Sequence, residues 1–267
     1  MSSNSPVAGV RFRCPHCGEQ LAEGERTWSC PTGHQFDRAR EGYVHLLVGG
    51  RLAGGPSGDD DAMVRARRTV FDAGLYDPIV DAVARSVDGA GTVLDAGCGE
   101  GTYVARACAG GAQGWGIDIS KVAVRLAARR HTAQRFAVAS VYRLPFDDGV
   151  FDAVIDVFSP RPFDELLRVL RPGGRLVAVT PGPDHLHQLK AMVYDTPRPH
   201  VDDEVAPVEG VATVVRFTVD LSEPALRRAL LEMTPYWWSA SDDRRARIER
   251  ELTSVDADMV LTTYVRA

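Results

Sequence analysis

Lysine is nearly missing from this chain. Only Lys121 and Lys190 are lysines among 31 basic residues, so almost every positive charge is a guanidinium. That pattern admits two readings: a coding bias toward arginine, or planar forks suited to phosphate and carboxylate. An excess of positive charge is missing too. Thirty-six acidic residues leave a net charge of −5, which by itself does not mark a nucleic-acid binder. Five cysteines in 267 residues are too few for a disulfide scaffold. No apolar run is long enough for a membrane span, and residues 1–9 lack the basic-then-apolar order of a signal peptide. These absences predict a soluble, cytoplasmic protein with reduced thiols and no membrane partner. A hydrophobic content of 45% beside 25% charged residues excludes a disordered chain and supports one well-buried core with a small appendage.

What is present falls into three zones. Residues 1–47 carry three of the five cysteines and three of the seven histidines. Residues 48–61 are rich in glycine and end in three aspartates, which predicts a flexible linker. From residue 62 to 267 helical and strand patterns alternate. Helices are predicted over 63–73 and 79–87, then a buried strand over 92–95 that runs into glycines. A helix follows to about 109, then a strand over 114–118, and Ser120 is a plausible N-cap for a helix through 130. Further strands are predicted over 135–139, 151–157 and 175–180, with a helix over 163–170. Beyond 180 the rhythm changes, to strands over 211–219 and 259–265 and helices over 223–232 and 240–252. Short apolar strands alternating with amphipathic helices predict an α/β fold: a parallel sheet covered on both faces.

The N-terminal zone holds a metal-ligand pattern. Cys14-Pro15-His16-Cys17 is followed by Cys30 after twelve residues and by His34 after three more. A C-x-x-C knuckle, a loop and a second ligand pair suit tetrahedral zinc. Cys14, Cys17, Cys30 and His34 would fill all four positions, so the zinc is structural. So small a segment cannot bury enough apolar area alone, and the metal supplies the missing folding free energy. His16 and His45 are read as non-ligands. Cys98 and Cys108 have no neighbouring base that would make either a nucleophile.

In the core zone, the strand at 92–95 opens into Asp95-Ala96-Gly97-Cys98-Gly99-Glu100-Gly101. Small residues at a strand end let the backbone turn sharply and a ligand pack on main-chain atoms. The third glycine arrives one residue too soon for a dinucleotide fingerprint. Asp118 ends the next strand, where a carboxylate can accept from both hydroxyls of an adenosine ribose. The run resembles motif I of class I (Rossmann-like) S-adenosylmethionine-dependent methyltransferases. Leu144-Pro145-Phe146 ahead of Phe151-Asp152, and Arg171-Pro172-Gly173-Gly174, match that superfamily in the same order.

More local motifs narrow the resemblance. Cys30-Pro-x-x-His34-Gln-Phe-Asp37, Glu41-Gly-Tyr-Val44, Arg67-Arg68 and Asp72-Ala-Gly-x-Tyr76 are similar to bacterial 23S rRNA guanine-N1 methyltransferases of the RlmA type. So are Asp118-Ile-Ser-Lys121, Thr180-Pro-Gly-Pro-Asp-His-Leu186, Leu189-Lys190 and Met233-Thr-Pro235. The resemblance implies methyl transfer from S-adenosylmethionine to a guanine N1 in a domain II hairpin of 23S rRNA. It also implies tylosin-type macrolide resistance in antibiotic producers and a pair of chains building one RNA cleft. Asp95, Gly97, Gly99, Glu100 and Gly101 would form the cofactor loop, Asp118 would hold the ribose, and Tyr76 and His185 would lie near the cofactor. The sequence departs from the family at Val157-Phe158-Ser159-Pro160-Arg161, where Tyr-Ala-Pro or a close variant is expected.

Guanine N1 carries a proton at neutral pH, so a carboxylate or imidazole within reach could act as base. Asp156, at a strand end facing the cofactor, and His185 are the candidates; positioning is expected to dominate the catalysis. RNA contact must come from local charge. Arg11 and Arg13 flank the knuckle, Arg26 lies in its loop, and Arg65, Arg67 and Arg68 cluster on the first core helix. Two other readings stay open: a small-molecule methyltransferase using zinc only for stability, and a non-catalytic zinc-bearing RNA or protein adaptor.

Overall fold

Strands buried on both faces must be apolar at consecutive positions rather than alternate ones. Val93-Leu94 and Val154-Ile155 meet that demand, and all four side chains are fully buried. They form the centre of the sheet in a computed structural model of the protein, which describes residues 9–48, 61–200 and 204–267. Residues 49–60 of the expected linker lie outside those described.

The N-terminal zone gives β1 (Thr27–Ser29), β2 (Gln35–Asp37) and β3 (Val44–His45). Helices α1 (Asp61–Asp72) and α2 (Asp77–Ser86) lead into the alternating region. That region runs β4 (Thr92–Ala96), α3 (Thr102–Ala107), β5 (Gln113–Asp118), α4 (Lys121–Arg130), β6 (Arg135–Val138), β7 (Phe151–Val157), α5 (Phe163–Val169) and β8 (Leu170–Pro181). The chain ends with α6 (His187–Val193), β9 (Gly210–Asp220), α7 (Pro224–Glu232), α8 (Pro235–Ser239), α9 (Asp242–Glu251) and β10 (Ser254–Val265).

Eight strands make one sheet in the order β3-β6-β5-β4-β7-β8-β10-β9. Strands β3 to β8 pair in parallel, and β10 runs antiparallel to both of its neighbours. The sheet is therefore mixed, with the antiparallel strand near one edge, as many doubly wound folds have it. Strand order reverses between β4 and β7. In open α/β sheets that switch point leaves a crevice at the carboxyl ends of the strands.

The N-terminal zone is joined to this sheet. Val44 and His45 of β3 pair with Ala137 and Val138 of β6, adding an edge strand. A chain of rings then crosses from the knuckle into the core: Phe12 lies 5.6 Å from Trp28 and 4.9 Å from Phe146, which lies 4.9 Å from Phe151. Arg13 meets Asp147 at 3.1 Å and Arg135 meets Glu23 at 3.0 Å across the same junction.

The helix expected over 240–252 is α9, but several elements differ from expectation. Strands β1 to β3 and helices α6 and α8 were not predicted, β8 begins at Leu170 rather than 175, and β10 begins at Ser254 rather than 259. Residues 254–257 alternate exposed and buried, so their polar members mask the strand.

Candidate functional site

The crevice at the switch point is a cavity of about 570 Å³, within the range of small-molecule sites. Its floor is the loop after β4. Gly97 has φ +86°, and a Cβ there would stand 2.2 Å from Ser159 Oγ, so only glycine fits against the turn that follows β7. Gly101, at φ +87°, is the left-handed N-cap of α3. Asp118 ties the loop to β5: its carboxylate accepts from Gly99 N at 2.9 Å and from Ser120 N at 2.7 Å. Ser120 in turn caps α4, accepting from Ala123 N.

Tyr76, Gly97, Gly99, Glu100, Asp118 and His185 all line this cavity, so residues spread over 110 positions of sequence converge on it. Tyr76 is buried, edge-on to Phe71 and Phe217 at 5.9 and 5.8 Å. Burial pushes its phenol well above the usual range. Glu100 is 3% exposed; one oxygen accepts from Thr102 Oγ1, and Oε2 has no hydrogen-bond partner. Burial raises its carboxyl as well. His185 lies 5.7 Å from the Phe158 ring. Burial, with the charge of Lys190, lowers its imidazole to about 4, so it is neutral at pH 7.

Three expected residues sit elsewhere. Gly101 does not line the cavity; a Cβ there would meet His131, Ala127 and Phe136 beneath the loop. Asp95 does not line the cavity; it lies beneath the loop, accepting from Val104 N at 3.2 Å, and burial raises it to about 8. Asp156 does not line it either. Strand side chains alternate faces. Val157, which lines the cavity, leaves Asp156 on the other side of β7, 0% exposed and with neither oxygen hydrogen-bonded. Burial pushes its carboxyl well above the ordinary range, opposed only in part by Arg161. Burial thus opposes ionisation of a carboxyl that lies away from the cavity.

The arginines divide. Arg11 and Arg26 are exposed. Arg13 is engaged by Asp147, Arg65 by Asp61 at 3.9 Å and Arg68 by Asp72 at 3.4 Å. Arg67 lines the cavity. Sequence reasoning missed Phe158, Ser159, Tyr103 and Tyr236 as lining residues. Phe158 has φ +52°, a strained conformation for a non-glycine residue at a strand end. Only the departure at 157–161 hinted at it.

At the N-terminal zone, the ligand atoms of Cys14, Cys17, Cys30 and His34 all lie within 4.8 Å of one another. Tetrahedral zinc with bonds near 2.3 Å would separate its sulfurs by about 3.8 Å. Cys17 Sγ and Cys30 Sγ are 3.6 Å apart, and His34 Nδ1 is 3.4 and 3.6 Å from the sulfurs of Cys30 and Cys14. The four donors fit zinc with no open position. Thr32 Oγ1 lies 3.0 Å from both Cys17 and Cys30 sulfurs, capping one face of the tetrahedron. Burial opposes ionisation of Cys30, yet hydrogen bonds from Thr32 and His34 bring its thiol down to about 6. His16 is no ligand; its ring rests against those of His34 and Phe36.

A class I methyltransferase sheet, a glycine-floored cavity with the Asp118 carboxylate on its wall, and a zinc ribbon on the sheet edge together define a zinc-bearing S-adenosylmethionine-dependent methyltransferase. The comparisons agree. Residues 12–48 match the family described as "RlmA, N-terminal", and residues 93–174 match "Methyltransferase domain". The 23S rRNA (guanine(748)-N(1))-methyltransferase of Streptomyces fradiae is 38% identical, over 96% of this chain and 96% of its own. YxjB of Bacillus subtilis (strain 168) is 35% identical, over 92% of this chain and 93% of its own. The chain belongs to the family of 23S rRNA guanine-N1-methyltransferases.

Proposed function

We propose that this protein methylates N1 of a guanine in a domain II hairpin of 23S rRNA, in the cytoplasm, and that this modification can protect against tylosin-type macrolides. The observation that carries the reading is end-to-end kinship with a guanine-N1 enzyme, combined with a cavity whose lining suits an adenosine-bearing ligand. S-adenosylmethionine, when bound, supplies an electrophilic methyl group. Asp118 would hold the ribose, Tyr76 would close over the ligand from α2's start, and the backbone at Gly97 and Gly99 would allow close approach.

On the acceptor side the chain has to exclude water, orient the base and receive the N1 proton. Phe158, 45% exposed at the cavity wall, offers a ring against which an unstacked base can lie. His185 is the residue suited to the proton. Its imidazole is neutral at pH 7, and Nδ1 has no hydrogen-bond partner. Such a weak base contributes chiefly as a hydrogen-bond acceptor, which leaves positioning as the larger effect. Asp156 takes no part.

The zinc ribbon would grip the hairpin through Arg11 and Arg26, with a second copy completing the cleft. Docked on the sheet by Phe12 and Arg13, it would present those arginines at a fixed distance from the cavity.

The test is incubation of pure protein with labelled S-adenosylmethionine and unmodified 23S rRNA, mapping the product by primer extension. A stop at one guanine of the hairpin is expected. Unaltered rRNA beside a readily methylated metabolite would replace this reading with a small-molecule methyltransferase.

A further inference from the structure

The charges around the cavity are uneven in sign. Glu100 and Asp118 bring two carboxyl groups to the glycine-rich loop, and Arg67 is the only arginine or lysine that lines the cavity among the described residues. Arg67 reaches in from α1: its Nη1 lies 3.7 Å from the position a Cβ on Gly99 would take. The two neighbouring arginines of the same helix do not line the cavity. Arg65 pairs with Asp61 and Arg68 with Asp72, on the outside. On the opposite side of the charge balance, Glu100 is 3% exposed and its Oε2 has no hydrogen-bond partner.

A ligand carboxylate entering here must shed water beside two like-charged groups. That is strongly unfavourable unless a cation meets it. S-adenosylmethionine carries one carboxylate and one ammonium, both on its amino-acid end. We propose that Arg67 binds the carboxylate of that end while Glu100 receives its ammonium, so that α1 and the glycine-rich loop together recognise the zwitterion. This rests on the cofactor reading above and moves Arg67 from RNA contact to cofactor contact. A guanidinium suits the task because its parallel N–H groups can hold a carboxylate bidentately.

The experiment is calorimetric titration of the zinc-loaded protein with two ligands. S-adenosylhomocysteine keeps the amino-acid end; 5′-methylthioadenosine keeps the adenosine and thioether and lacks that end. Arg67→Gln is expected to weaken S-adenosylhomocysteine by roughly 10- to 100-fold, the loss of a charged hydrogen-bonded pair. It should leave 5′-methylthioadenosine within about twofold, since Arg67 has nothing to hold on it. Arg67→Lys, which keeps the charge and loses the fork, should recover part of the affinity. Unchanged binding of S-adenosylhomocysteine by Arg67→Gln would overturn the assignment, as would equal losses for both ligands in both variants. A wild-type protein that binds neither ligand would instead overturn the cofactor reading, so the two failures are told apart.

Discussion

At the scale of single residues, the site depends on atoms that are missing as much as on those present. Gly97 works because it has no Cβ. With φ +86° and Ser159 Oγ 2.2 Å from where a methyl would go, Gly97→Ala combines backbone strain with a steric overlap. The expected cost is about 1–3 kcal/mol of stability with loss of S-adenosylhomocysteine binding. Both are readable by thermal melts and calorimetry, and Gly97→Ala with Ser159→Gly should recover part of the stability because it empties the contested space. Asp156 gives the opposite kind of prediction. Being on the far face of β7 from Val157, its carboxyl is not needed for turnover, so Asp156→Asn should methylate rRNA at the wild-type rate across pH. A fall in rate of tenfold or more with cofactor affinity unchanged would return Asp156 to the mechanism.

At the scale of elements, the zinc ribbon and the sheet hold each other. The ribbon has one antiparallel strand pair of three residues each, too little to fold alone, and its metal supplies what the small core does not. Phe12 is the joint: it is buried at 1% exposure and touches rings of both units. Phe12→Ala should cost about 3–5 kcal/mol. Its signature would be early release of the ribbon, seen as faster amide exchange over β1 and β2 than over β4 and β7. Chelation of zinc should produce the same pattern, with Cys30→Ser reproducing it in the absence of chelator. The ribbon ligands were legible in sequence because metal geometry fixes spacing. The glycine-rich loop and Asp118 were legible because a ligand's approach to backbone limits residue size. The docking of the ribbon was not, since β3 is only two residues long and its partner β6 lies ninety positions away. Nor was the fate of the arginines. Arg13, Arg67 and Arg68 look alike along the chain, and only tertiary packing sends one to Asp147, one to the cavity and one to Asp72. Asp156 was misplaced for a related reason: a strand-end carboxyl points to one face or the other according to register, which period-two alternation cannot settle where both faces are apolar.

At the scale of the whole molecule, the buried ionisable groups give stability a pH dependence with two opposing parts. His131 and His185 are both held near pKa of about 4 by burial. In the unfolded chain they bind protons below about 6.5, so folding loses stability as pH falls from about 6.5 toward 4. Asp95 works the other way. Burial raises it to about 8, whereas the unfolded chain releases that proton near pH 4, so the folded state carries the extra proton throughout that interval. Its contribution is fully present below about pH 4 and declines as pH rises to about 8; Glu100 and Asp156, raised in the same direction, add to the decline. Below pH 6.5 the histidines offset the carboxyls, and above it only the carboxyls act. The ligand-free, zinc-loaded protein should therefore lose stability between pH 6.5 and 8. For one carboxyl that stays protonated across the interval the loss is about 2 kcal/mol. At this chain length it lowers the melting temperature by several degrees. Replacing the acid removes its linkage, so Asp95→Asn should flatten the profile over that window while leaving the histidine-linked fall on the acid side. A melting temperature in the wild type that rises from pH 6.5 to 8 would mean that Asp95 is ionised in the folded protein, held by the Val104 amide at the start of α3.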